Sequence, residues 1–308
     1  MTAYGEHYSV LCREILQYAQ ENFKNTADVL FADMTFGAGG HSVALAKTFD
    51  LGKVISVDQD PDALENGKRI LREQEVENLE LLNMNFEQFP QYCANKVRPD
   101  FVLMDLGVSS HHFDTNERGF SFQNDGPLNM RMDKRSGSDA LTAKDILNKF
   151  SEKDIADIIY EFGEEHYSRK IAKRVVEQRR EKPFETTKDF EEVCFLAYPK
   201  HKRHGKTHPA TKSFQALRIY VNEELQVLEN TLAKLFDTLK PGGALLVISF
   251  HSMEDRIVKH KFKEIFQNRP NEAKIETKKP ILPSEKELKE NRRSRSAKLR
   301  IIRKLASS

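Results

Sequence analysis

Asp33-Met34-Thr35-Phe36-Gly37-Ala38-Gly39-Gly40-His41-Ser42 is the stretch that decides the fold. An apolar, strand-like run, Val29 to Ala32, leads into it and stops at a carboxylate. A glycine turn follows, and Val43 to Phe49 continues with helix-compatible residues. A strand, glycine turn and helix in this order let a ligand lie against bare backbone at a helix N-terminus. Lys53-Val54-Ile55-Ser56-Val57-Asp58 then ends in a second carboxylate, 25 residues after Asp33. A carboxylate at the end of a second strand is placed to take both hydroxyls of a ribose. The chain is therefore expected to begin with a nucleoside-binding α/β domain.

Dinucleotide-binding folds use a similar turn, G-x-G-x-x-G with an acidic residue about 20 positions later. Gly37, Gly39 and Asp58 nearly satisfy it, but Ser42 stands where the third glycine belongs. Asp33, four residues before the first glycine, is expected at the mouth of the cleft. There it would repel a pyrophosphate and suit the cationic amino-acid end of S-adenosylmethionine (AdoMet). The plain alternative is a tight turn formed by Gly37, Gly39 and Gly40 with no ligand. At the helix start, the backbone N–H of His41 is more useful than its imidazole.

A chain of 308 residues suits one large or two modest domains. With 39% hydrophobic and 31% charged residues it reads as globular and soluble. Its longest fully apolar run, Ala244 to Ile248, is far short of the ~20 residues that cross a membrane. The N-terminus lacks the apolar segment of a signal peptide. Cys12, Cys93 and Cys194 are odd in number and have no C-x-x-C spacing, which points to reduced thiols in the cytoplasm and to no metal site. The net charge of +2 hides an asymmetry. His251 to Ser308 carries 17 Lys+Arg against 8 Asp+Glu, whereas the first 250 residues carry 32 against 39. Glu165 to Arg218 is also basic, 14 against 7. Two basic segments on an otherwise acidic chain suggest a polyanionic partner, with a solvated surface as the alternative.

Strand-like runs recur at Val29–Met34, Lys53–Asp58, Leu79–Asn85 and Phe101–Val108, with helix-compatible stretches between them. This alternation predicts a parallel, doubly wound sheet. The next strong strand, Ala244–Phe250, follows only after about 135 residues. Leu217, Val221, Leu225, Leu228, Leu232, Leu235 and Leu239 lie on one helical face leading into it, ended by Lys240-Pro241-Gly242-Gly243. Roughly residues 112–213 exceed what a crossover needs and are expected to form an inserted, mainly helical domain. Residues 1–111 plus 214–308 would form the main one. Ser151 to Asp154 reads as a capping box, with Gly163 as the stop of the helix it opens. Tyr167–Arg180 and Thr187–Tyr198 read as further helices, and a helix near Glu254–Phe266 with two extended segments, Ala273–Lys278 and Ala297–Arg303, would close the sheet.

The fourth strand ends Met104-Asp105-Leu106-Gly107-Val108-Ser109-Ser110, which puts Asp105 at the same crevice as Asp33 and Asp58. An exocyclic amine is a poor nucleophile because its lone pair spreads into the ring. A carboxylate accepting its N–H holds that lone pair towards a methyl sulfonium, so catalysis is mainly positioning and electrostatics. A structural Asp capping a turn is the alternative. Further on, Phe120 and Phe122 beside Arg118 and Arg131 offer a stacking surface and phosphate contacts for an unpaired nucleotide, or else simply core. His208 to Phe214 and Ser249 to Ser252, including His251, are expected to line the cleft rim.

These motifs together resemble the bacterial 16S rRNA cytosine-N4 methyltransferase family. The resemblance runs through His7–Leu11, Asp33–Ser42, Asp105–Ser110, Arg118–Asp133, Ser151–Glu165, His208–Leu225, Ser249–Lys259 and Asn291–Arg300. It implies a class I, Rossmann-like methyltransferase sheet with an inserted helical domain. It also implies AdoMet-dependent methylation of one cytidine in the decoding region of small-subunit rRNA. Carried over residue by residue, the AdoMet contacts would be Gly39, Gly40, His41, Asp58, Phe86, Asp105 and His112, with Phe86 packing on the adenine. Three positions depart from the family's pattern: Met34 replaces a usual Gly, Asn129 an Asp, and Arg292 a Pro. Asn129 bears on catalysis if that side chain handles the target amine. The rival readings are the same chemistry on DNA, and an assembly factor that binds AdoMet and the ribosome without methylating.

Overall fold

The computed structural model describes residues 9–94, 96–107, 116–133 and 140–306. The chain divides into two compact units, Met1–Gly107 with Leu225–Ser308, and Val108–Glu224.

The first unit is built on a seven-stranded sheet: β1 Leu30–Asp33, β2 Lys53–Asp58, β3 Leu79–Asn83, β4 Phe101–Asp105, β5 Ala244–Ser249, β6 Ala273–Ile275 and β7 Lys298–Lys304. Its order is β3-β2-β1-β4-β5-β7-β6. The first five strands are parallel, and β7 runs antiparallel to both β5 and β6. Both faces are covered, so the strands read as nearly continuous apolar runs that alternate between two cores. Leu30, Ala32, Val102, Met104, Leu245 and Val247 join one core with Leu228, Leu232 and Phe262. Phe31, Phe101, Leu103, Leu246 and Ile248 join the other with Ile15, Ala19 and Leu45. The strand order reverses between β1 and β4, which opens the ligand crevice at their carboxyl ends. Asp33, Asp58, Asn83, Asp105 and Ser249 close the five parallel strands at that edge.

The second unit packs the helices Ala143–Lys149, Glu152–Gly163, Ser168–Glu181, Thr187–Ala197 and Thr211–Val221 around one core that includes Ile146, Ile159, Val175, Phe190 and Leu217. Its boundaries with the first unit fall at 107/108 and 224/225, where the sequence placed them at 111/112 and 213/214. The difference at the return lies in the Thr211–Val221 helix, whose Phe214 and Leu217 are buried in the core of the second unit.

Two expectations change. The helical face from Leu217 to Leu239 is not one helix: it breaks between Thr211–Val221 and Glu224–Thr238, with Glu223 at φ 50°. Arg218 bridges the break, its Nε and Nη2 each 2.8 Å from a carboxylate oxygen of Glu224. Gly163 is also not the left-handed stop. That conformation belongs to Glu164 at φ 48°, and Gly163 is the last helical residue. A Cβ there would lie 2.6 Å from the Lys212 carbonyl oxygen, so glycine is what lets the two helices approach. Ser151 does cap the helix, accepting the Asp154 N–H. No helix among the described residues is long and apolar enough to cross a membrane.

Candidate active site

The glycine turn continues directly from β1 and is tied to the neighbouring strands by backbone hydrogen bonds. Met34 N–H donates to Leu103 O at 2.8 Å, and Phe36 N–H to Val57 O at 2.9 Å. Gly37 (φ 53°) and Gly39 (φ 80°) take the left-handed backbone that glycine adopts without penalty. A Cβ on Gly39 would meet the Phe36 ring at 2.6 Å. The helix Gly40–Thr48 starts immediately, so the N–H groups of its first turn point out of the helix start.

Asp58 holds the turn from β2. Its Oδ2 accepts the Gly37 N–H at 2.8 Å and its Oδ1 the Asp60 N–H at 2.9 Å. Asp33 lies deeper than the sequence suggested: it is 1% exposed, beneath the turn and not at a cleft mouth. Ser42 Oγ donates to it at 2.5 Å, Ser56 Oγ donates to Ser42 at 2.7 Å, and the Thr35 N–H donates at 3.1 Å. Burial pushes the Asp33 carboxyl up to about 6, against the pull of His41, Ser42 and Thr35.

Asp105, at the end of β4, is fixed by its own N–H, which donates to Thr35 Oγ1 at 2.7 Å. Its Oδ2 lies 3.5 Å from His41 Nε2, without the alignment of a hydrogen bond. Its Oδ1 is buried and, among the described residues, has no partner. The His41 imidazole is 5% exposed. Burial pulls its pKa down, but the Asp105 and Cys12 side chains beside it outweigh that and raise it. Thr35 connects Asp33 and Asp105, and sequence reasoning passed over it; a hydroxyl just before the glycines, in an otherwise apolar approach, was its signal.

Phe86 opens a short 3-10 turn after β3, capped by Asn85, and packs against the sheet core. Asn85 Nδ2 donates to Gln59 Oε1 at 2.8 Å, which ties that turn to the end of β2. His251 caps the helix Ser252–Asn268: its Nδ1 accepts the Glu254 N–H at 3.4 Å, and its Nε2 lies 3.0 Å from Glu254 Oε1. His112 lies outside the described residues. Thus Asp33, Gly37, Gly39, Gly40, His41, Asp58 and Asp105 come together around one turn of the first unit.

The expected substrate residues of the second unit divide into core, brace and edge. Phe120 and Phe214 are core residues, 5% and 4% exposed, which removes Phe120 as a stacking platform and turns Phe214 inward, away from the rim expected for it. Arg118 is turned inward at 6% exposure, donating to Arg131 O at 3.0 Å and Met132 O at 2.9 Å. It braces the chain where the sequence suggested a phosphate contact. Phe122 is half-buried and stacks on His208 with ring centroids 4.8 Å apart. His208 accepts the Ala210 N–H at Nδ1, and its Nε2 lies 3.2 Å from Glu191 Oε1. Asn129 and Arg131 stay half-buried beside each other, with Arg131 Nε donating to Asn129 Oδ1 at 3.0 Å. Among the described residues no group of three or more His, Cys, Asp or Glu side chains could hold a metal ion.

Curated relatives match nearly the whole of this chain. A ribosomal RNA small subunit methyltransferase H from Treponema denticola is 42% identical over 97% of both chains. Its namesake from Acaryochloris marina is 44% identical over 97% of this chain and 94% of its own. A solved rRNA methylase from Streptococcus thermophilus is similar at a TM-score of 0.45 and 13% identity, covering 95% of each chain. The MraW methylase family matches residues 5–305, a span that takes in every strand of the sheet and every helix of the insert, so this chain belongs to that family.

Proposed function

We propose that this protein transfers a methyl group from AdoMet to the N4 amine of a cytidine in the 16S rRNA of the small ribosomal subunit, in the cytoplasm. The observation that carries the reading is Asp105: a carboxylate at the switch point of the sheet, with one oxygen against His41 and the other buried and, among the described residues, unpaired. An unpaired buried acceptor is costly unless a donor comes to it. An amine N–H is such a donor, and accepting it orients the nitrogen lone pair.

The residues of the first unit fit AdoMet. Asp58 stands at the end of β2, where a ribose is taken in such sheets, and it also holds the turn. Gly39 leaves no room for a side chain where backbone must be approached closely. The first-turn N–H groups of Gly40 and His41 suit a carboxylate. Phe86 offers an apolar face for adenine, and His112 joins the set by family resemblance. Asp33 acts from beneath, holding the turn's shape through Ser42. When bound, the cofactor supplies an electrophilic methyl group on a cationic sulfur. His41 Nε2 lies beside Oδ2 of Asp105, and the Thr35 hydroxyl tethers the Asp105 backbone. Asn129 has a role different from that of an acceptor. Its Oδ1 takes both the N–H and the Nε–H of Arg131, so its Nδ2 is the group left to donate.

The test is methyl transfer from labelled AdoMet to small subunits taken from cells lacking the gene, with naked rRNA and DNA alongside. Mass spectrometry of the digested nucleosides is expected to show N4-methylcytidine from subunits. Asp105→Ala is expected to lower turnover by at least ~100-fold, with subunit binding kept. Label in DNA alone would overturn the substrate. Tight AdoMet binding with no label in any nucleic acid would overturn the catalytic reading.

A further inference from the structure

The tract Leu128 to Asp133 alternates strictly. Leu128, Met130 and Met132 are buried in the core of the second unit, and Asn129, Arg131 and Asp133 are not. Such alternation is ordinary for an extended segment, but Met130 is not extended: its φ is 61°, in the left-handed region that a side chain disfavours. A residue stays there only where its surroundings over-determine it.

Asn222 supplies that constraint from 92 positions away. Its Oδ1 accepts the Met132 N–H at 2.8 Å, and its Nδ2 donates to Met130 O at 2.7 Å. One amide thus closes both sides of the bond between Arg131 and its neighbours. The second Nδ2 proton goes to Arg218 O at 2.8 Å, which anchors the amide to the end of the Thr211–Val221 helix. The opposite side is held by Arg118, whose guanidinium donates to the carbonyls of Arg131 and Met132 and whose own carbonyl accepts the Met130 N–H at 2.9 Å. Gly119 completes the brace at φ 72°, where a Cβ would lie 1.9 Å from Pro127 O. Two left-handed residues, an inward arginine and a saturated amide are more than the packing of three apolar side chains requires. Their common effect is to fix where Asn129 and Arg131 stand.

We propose that Asn222 is a positioning residue for rRNA recognition: its side-chain amide clamps the left-handed turn at Met130 and thereby presents the Asn129–Arg131 pair to the substrate. The inference rests on the reading that this pair touches rRNA. Its signature is a loss of substrate affinity with the cofactor site intact.

Asn222→Ala is expected to raise the KM for small ribosomal subunits roughly tenfold or more, with AdoMet affinity by calorimetry unchanged. The same substitution in an Asn129→Ala, Arg131→Ala chain is expected to add nothing further. Ile159→Val, a core truncation in the same unit, controls for general loosening and should leave KM unchanged. Asn222→Asp keeps the accepting oxygen but sets a second oxygen against two carbonyls, so it should match Asn222→Ala and serves in its place if that variant does not fold. A folded Asn222 variant with unchanged KM, an effect that adds to that of the double variant, or an equal KM rise in Ile159→Val would each overturn the clamp. An unchanged KM in the Asn129, Arg131 double variant would instead remove that pair from the rRNA contacts, a separate failure that any effect of Asn222→Ala would then survive only as structural.

Discussion

Burial holds a proton on Asp33 to a higher pH than on an exposed aspartate, and that has a consequence for stability. The folded-state value of about 6 lies above the ordinary 3.8. Between those values the folded chain keeps a proton that the unfolded chain releases. The associated stability is therefore full below pH ~4, falls as pH rises through ~6, and stays lost above. For a shift of this size the loss is at most about 3 kcal/mol. Asp33→Asn keeps an acceptor for Ser42 and removes the titration. Urea midpoints measured from pH 4 to 7 are expected to fall more steeply for the native chain than for the variant; parallel curves would show that Asp33 does not titrate there. The same residue shows what a motif conveys. Asp33 was legible as important, but whether its oxygens face a ligand or Ser42 depends on the depth of β1 in the sheet.

At the scale of elements, close approach and backbone conformation matter more than hydrophobic period. Gly163 admits the Thr211–Val221 helix, and Gly163→Ala would drive a methyl group to 2.6 Å from the Lys212 carbonyl oxygen. The expected loss is about 1–3 kcal/mol, read as a lower denaturant midpoint with an unchanged m-value. A variant within about 0.5 kcal/mol of the native chain would mean that the helices separate without strain. The strands and most helices were legible because two-sided burial leaves continuous apolar runs and Ser151 and similar residues mark helix starts. The break at Glu223 was not, because Leu217 and Leu228 keep one helical phase while belonging to the cores of different units. Periodicity reports that a residue is buried, not against what.

Over the whole molecule the relevant quantity is charge. The helix Ser168–Glu181 carries Arg169, Lys170 and Lys173 exposed along it, in the basic part of the insert. Binding to a polyanion releases counterions, so affinity for small subunits is expected to fall linearly with the logarithm of salt concentration. Arg169→Ala with Lys170→Ala is expected to lower that slope by about 1–2 and to weaken binding without altering AdoMet affinity. Filter binding across a salt series measures it, and an unchanged slope would take this helix out of the contact.

The sequence by itself determined the parallel sheet, the inserted helical unit, the glycine turn and the three strand-end carboxylates. Each of these is carried by local chemistry: apolar runs of strand length, glycines where the backbone is left-handed, acids where strands stop. Only the tertiary structure decided which polar groups remain free to act. Asp33 and Arg118 look like ligand contacts in the sequence, yet their hydrogen bonds turn them inward. Among the described residues Asp105 keeps a buried oxygen unpaired, and Asn222, unremarkable in sequence, holds a turn some 90 residues away. Hydrogen-bond satisfaction is a property of groups that meet across the fold. A linear chain records the donors and acceptors but not their pairing.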